Sequence, residues 1–173
     1  MRMKTIAVFI GVMMMWASTL SAQVATGEEL MSVNYTLDFS GFIIDEISAK
    51  DYLVLGKGVD YEEFMKSAER NLTEEANRVL MKRGLTLTNE QPSHLLLKII
   101  PLKADDDGEH YFRFELTDKE SGFSISKFKI NSDGGNRVNF QVAFLKGLLK
   151  TGHKLGNRIV NALTQFQQEM DDL

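Results

Sequence analysis

The sequence predicts an α+β fold: a two-layer sandwich of a mainly antiparallel sheet with two helices packed on one face, in the order β-α-β-β-β-α. Three observations predict it. Apolar residues recur at three- and four-residue steps in two long stretches, about 61–82 and from about Asn139 almost to the end. Shorter runs before and between them alternate with period two, as half-buried strands do. The three runs between Leu95 and Ile130 are separated only by polar turns, which join antiparallel neighbours.

The chain opens with Arg2 and Lys4, an uncharged run from Ile6 to Trp16, and the small and polar residues Ala17 to Ala22. That order is the order of a secretory signal peptide. The uncharged run is too short to span a bilayer, which takes roughly 20 apolar residues. Cleavage after Ala22 is expected, leaving residues 23–173 as a single α+β domain in the periplasm or outside the cell. The chain has no cysteine, so neither disulfides nor a lipoprotein anchor are expected. Removal of Arg2 and Lys4 leaves 18 basic against 24 acidic residues, a charge of −6, which argues against nucleic acid as a general partner. No later segment is long and apolar enough to suggest a transmembrane helix.

In the mature region, Val33, Tyr35, Leu37 and Phe39 alternate with polar residues and predict the first strand. Tyr52 to Leu55 reads as a short edge strand or an exposed apolar patch. Asp60 is a capping residue, with Glu63 three positions on. The stripe from Tyr61 through Phe64, Ala68, Leu72 and Ala76 to Leu80 then predicts a helix that Gly84 ends. Leu85 and Leu87 suggest a short extended piece. Leu95–Leu102, Phe112–Leu116 and Phe123–Ile130 predict three strands, the last with a bulge near Lys127, where the apolar phase shifts. Leu145, Leu148, Leu149, Leu155, Ile159, Val160, Leu163 and Phe166 mark the buried stripe of the final helix. Gly152 and Gly156 suggest close approach to the sheet, and the glycines suggest a break or kink near Gly147 to Gly152.

Motifs for chemistry are sparse. Asp105-Asp106-Asp107-Gly108 fails as a calcium loop, because Lys103 and Phe114 fall where carboxylates are required. The three histidines, His94, His110 and His153, have no zinc spacing, and there is no Gly-x-Ser-x-Gly elbow. No catalytic residue, metal or cofactor is therefore assigned. Lys146, Lys150, Lys154 and Arg158 recur every four residues as a basic stripe that suits an acidic partner or anionic headgroups. With Tyr52, Leu53 and Leu55 they form the set of candidate binding residues.

The run from Ser93 to Ile100, the run from Tyr111 to Gly122 and the helix around His153 to Thr164 resemble a superfamily of small periplasmic α/β domains. Its members include the amino-terminal domain of the Tol–Pal system's propeller protein, with related folds in the curli secretion channel and in envelope accessory lipoproteins. The chain departs from them in having no propeller, no lipidation cysteine and an extra segment at 44–59. The resemblance implies protein–protein work at the cell envelope. The resulting expectation is a non-catalytic binding or assembly accessory with an envelope protein as partner. Alternatives are a small envelope hydrolase with a loop-assembled site and a carrier of an apolar ligand.

Overall fold

The computed structural model describes residues 30–44, 47–48, 60–105, 107–134 and 140–172. The elements are β1 (Met31–Leu37), β2 (Ile43–Ile44), β3 (Ile47–Ser48), α1 (Tyr61–Leu80), a 3₁₀ turn (Met81–Arg83), β4 (Leu85–Leu87), β5 (Leu95–Ala104), β6 (His110–Asp118), β7 (Ser124–Ser132) and α2 (Phe140–Asp171). This is the α+β class that the periodicities predict. The candidate segment Tyr52, Leu53 and Leu55 lies outside the described residues.

The sheet is mixed. β5, β6 and β7 form the antiparallel meander, with Ile99 opposite Phe114 and Phe114 opposite Phe128. β1 lies parallel to β5 on one side and to β4 on the other, and β2 also pairs parallel with β5. The parallel β1–β4 pair follows from the connection, because α1 crosses over between the two strands.

Alternation decides which face is dry. Leu97, Ile99, Phe112, Phe114, Leu116 and Ile130 are buried toward the helices. The bulge expected near Lys127 falls at Ile125: Leu116 pairs with Ser126 and Thr117 with Ser124, leaving Ile125 as the extra residue. β4 is too short to hold itself, and the Asn77 side chain completes its outer edge. The Asn77 amide donates to Leu87 O at 3.0 Å, and its carbonyl accepts from Leu87 N at 2.6 Å.

α1 begins at Asp60, whose Oδ1 accepts from the Glu62 and Glu63 amides at 2.8 and 3.3 Å. Gly84, at φ 70°, ends the turn that follows. Phe64, Ala68, Leu72, Ala76 and Leu80 form its buried stripe. Leu149, expected in the buried stripe, lies on the exposed face of α2, and the helix runs without a break through Gly147 and Gly152. Packing accounts for this, and also changes what the glycines approach. A Cβ at Gly152 would lie 2.4 Å from Leu72 O, and one at Gly156 would lie 2.8 Å from Ala76 O. These glycines seat α2 on α1, not on the sheet. Their conformational cost, about 1 kcal/mol each relative to alanine, is offset by close helix–helix contact.

Candidate functional site

The basic stripe of α2 is exposed at all four positions, but two of its members have local structural work. Lys154 Nζ donates to Asn131 O at 2.8 Å and to Ser132 Oγ at 3.1 Å, tying the helix to the end of β7. Lys150 Nζ lies 3.4 Å from Asp133. Lys146 and Arg158 remain as solvated cations on the helix surface.

A second basic surface emerges only when the strands are placed in register. Side chains on the sheet face away from the helices come from alternate positions of β5, β6 and β7. One cross-strand row reads Lys98, Glu115, Lys127, and the next reads Ile100, Arg113, Lys129. Lys103 opposes Tyr111 in the third row, with its ammonium 5.0 Å from the ring centroid. Lys98, Lys103, Arg113, Lys127 and Lys129 are all exposed, and Glu115 is the single carboxylate within those rows.

Two of these cations have carboxylate neighbours: Arg113 Nε lies 3.6 Å from Glu115, and Lys103 Nζ lies 3.6 Å from Asp105 at the strand end. Such exposed pairs are worth about 0–1 kcal/mol and leave the surrounding field positive. Arg113 directly opposes Lys129, an arrangement of like charges that disfavours the strand pair. The whole chain has a charge of −4, so this face has the opposite sign to the molecule that bears it.

The other candidate features are structural or lie elsewhere. His110 and Thr151 are fully buried and joined at 2.8 Å between Nε2 and Oγ1. Nδ1 lies 3.0 Å from Gly108 O, so the ring donates there and accepts the Thr151 hydroxyl at Nε2. Burial pushes the imidazole down to about 4, which keeps it neutral. A hydroxyl and a base in this relation resemble the start of a catalytic pair. At 0% exposure for both, however, they join β6 to α2 out of reach of any substrate.

The aspartate turn closes on itself, with Asp105 N donating to Glu109 O at 2.7 Å and Gly108 N to Asp105 O at 3.0 Å. Among the described residues no group of three His, Asp or Glu side chains is placed to hold a metal ion. A groove of about 390 Å³ opens beside the end of β1 and the first turns of α1, lined in part by Asp38, Tyr61, Met65 and Glu69. It lies beside the helix–sheet interface and not within it. Beyond it, no helix among the described residues is long and apolar enough to cross a membrane.

No protein-family model matches the chain, and no curated protein matches it. Among solved structures it is similar to a Xanthomonas campestris protein of the DUF330 family, at 11% identity and a TM-score of 0.47, covering 84% of this chain and 91% of that one. It is similar to a protein described as a neuraminyllactose-binding hemagglutinin homolog from Helicobacter pylori, at 13% identity and a TM-score of 0.44, covering 89% of this chain and 96% of the other. PelC from Paraburkholderia phytofirmans, solved as a dodecamer, is 14% identical with a TM-score of 0.41, covering 78% of this chain and 95% of PelC. These three bacterial proteins show no link to the Tol–Pal system. At such identities and TM-scores they transfer no residue, ligand or assembly to this chain.

Proposed function

We propose that the chain is an exported, non-catalytic docking accessory of the bacterial cell envelope, working through an exterior surface instead of an internal site. The observation that carries this reading is the exposed sheet face, whose three cross-strand rows hold five cations and one carboxylate, with Asp105 beside Lys103 at the strand end, on a molecule of net negative charge. Such a face favours contact with anionic matter and orients the molecule as it approaches. The signal-peptide pattern of residues 1–22 supplies the compartment in this proposal. The α2 stripe has a smaller role, because Lys150 and Lys154 are engaged with the end of β7.

The test is photo-crosslinking in living cells, with a photoreactive residue placed in turn at Arg113, Lys129, Lys146 and Glu74. Recurrent adducts from Arg113 and Lys129 but not from Glu74 on α1 are expected. Adducts from Glu74 alone would overturn the docking face, and adducts from Lys146 alone would move the surface to α2.

A further inference from the structure

We infer that the partner of the open sheet face is an anionic phospholipid surface, an inference that rests on the docking reading above. The layout of the cations carries it. With strands about 4.8 Å apart and same-face residues about 6.7 Å apart, the patch is about 10 Å wide and 13 Å long. Lys98 and Lys103 lie on β5, Arg113 on β6, and Lys127 and Lys129 on β7. The charges therefore spread over two dimensions of one broad face. A single acidic peptide presents its carboxylates along a line and would leave most of them unmatched, whereas a bilayer presents phosphates over an area.

The residues between the cations fit the same partner. Leu96, Ile100 and Tyr111 are half-buried among the charges on the same face, supplying apolar bodies that suit the headgroup boundary. The Tyr111 hydroxyl donates to Glu109 at the strand end. Lysines on an edge strand also discourage strand addition by another chain, which would account for Lys127 and Lys129. It does not account for Lys98 and Arg113, which lie on strands paired on both sides. Repulsion from the net negative charge of the molecule is screened beyond about 8–10 Å at physiological salt, so the contacting face determines the sign of the interaction.

The experiment is sedimentation of the exported, purified protein with phosphatidylcholine vesicles, with and without phosphatidylglycerol. Binding is expected only with phosphatidylglycerol and should weaken as salt rises. A juxtamembrane cation contributes roughly a fivefold factor, so Arg113→Gln/Lys127→Gln/Lys129→Gln should weaken binding by roughly a hundredfold. The control Lys66→Gln/Lys82→Gln/Arg83→Gln removes the same charge from exposed positions on and just after α1, and should change binding by less than about fivefold. If the first variant misfolds by circular dichroism, Lys98→Gln/Lys127→Gln repeats the test with an expected loss of roughly 25-fold. Equal binding to neutral vesicles, or equal losses in the open-face and control variants, overturns the inference. Soluble polyglutamate separates the two levels of failure. Binding to polyglutamate through Arg113 and Lys129 without vesicle binding overturns the lipid partner and leaves the docking face standing. Binding to neither polyanion overturns both.

Discussion

Acidification should destabilise this protein through one buried ring. His110 is fully buried, edge-on to Phe112 and Phe144 at centroid distances of 5.3 and 5.2 Å. Loss of hydration, aided by the Lys154 charge, outweighs the Gly108 carbonyl and the Asp133 and Glu109 carboxylates, lowering its pKa from 6.5 to about 4. Above about pH 6.5 neither the folded nor the unfolded chain protonates this residue, so it contributes no pH dependence there. Between that pH and about 4 the unfolded chain takes up a proton that the folded chain refuses, and stability falls as pH falls. The full difference amounts to about 3 kcal/mol. His110→Gln removes the titration while keeping an amide able to donate toward Gly108 O. Urea unfolding followed by circular dichroism at pH 7 and pH 4.5 isolates the effect, with about 2.5 kcal/mol of the acid loss expected to vanish in the variant. The exposed His94 and His153, which lie near Glu120 and Glu75, are common to both proteins, so the comparison isolates His110. Equal acid sensitivity in the two proteins would refute the assignment of a buried neutral imidazole.

Two other substitutions test the packing. Gly152→Ala places a Cβ 2.4 Å from Leu72 O, so α2 must move off α1; despite the better helix propensity of alanine, a net loss of about 1–3 kcal/mol is expected in urea unfolding. An equal or higher midpoint would show that the helices do not meet this closely. Asn34→Ala should loosen the loop between β4 and β5, because the Asn34 amide donates to Thr88 O and Gln91 O at 2.7 Å each and its carbonyl accepts from Ser93 N and Lys119 Nζ at 3.1 and 2.9 Å. A cost of about 2 kcal/mol and faster amide exchange at Ser93 are expected, and unchanged exchange would remove Asn34 as the anchor of that loop.

The parts of this fold that were legible in the sequence are those that bury one face along many residues. The stripe of α1, the alternation of Phe112, Phe114 and Leu116 and the apolar period of α2 each repeat often enough to fix element type. β2 and β3 span two residues each, too few for any period to register. The parallel placement of β1 between β4 and β5 left no local mark, since it depends on how the chain crosses over and not on what each strand contains. Gly152 and Gly156 marked a close approach, but a glycine does not specify which neighbour approaches. The actual neighbour, α1, lies far away in sequence.

The same distinction explains why one basic surface was visible in the sequence and the other was not. The α2 cations recur every four residues within a single element, so a helical projection collects them without knowledge of the fold. Each strand of the open face contributes at most two, separated by turns and mixed with hydrophobic residues, and each alone resembles an ordinary solvated strand face. Register brings Lys98 and Lys127 to either side of Glu115, and sets Arg113 against Lys129. The two surfaces also differ in what they cost the fold. On α2, Lys154 and Lys150 find an acceptor and a carboxylate at the end of β7 and help hold the helix in place. On the sheet, the facing Arg113 and Lys129 disfavour the strand pair. Charges that stabilise the fold are explained by the fold itself, whereas the facing Arg113 and Lys129 are the pair that the fold leaves unexplained and that the proposed docking role would account for.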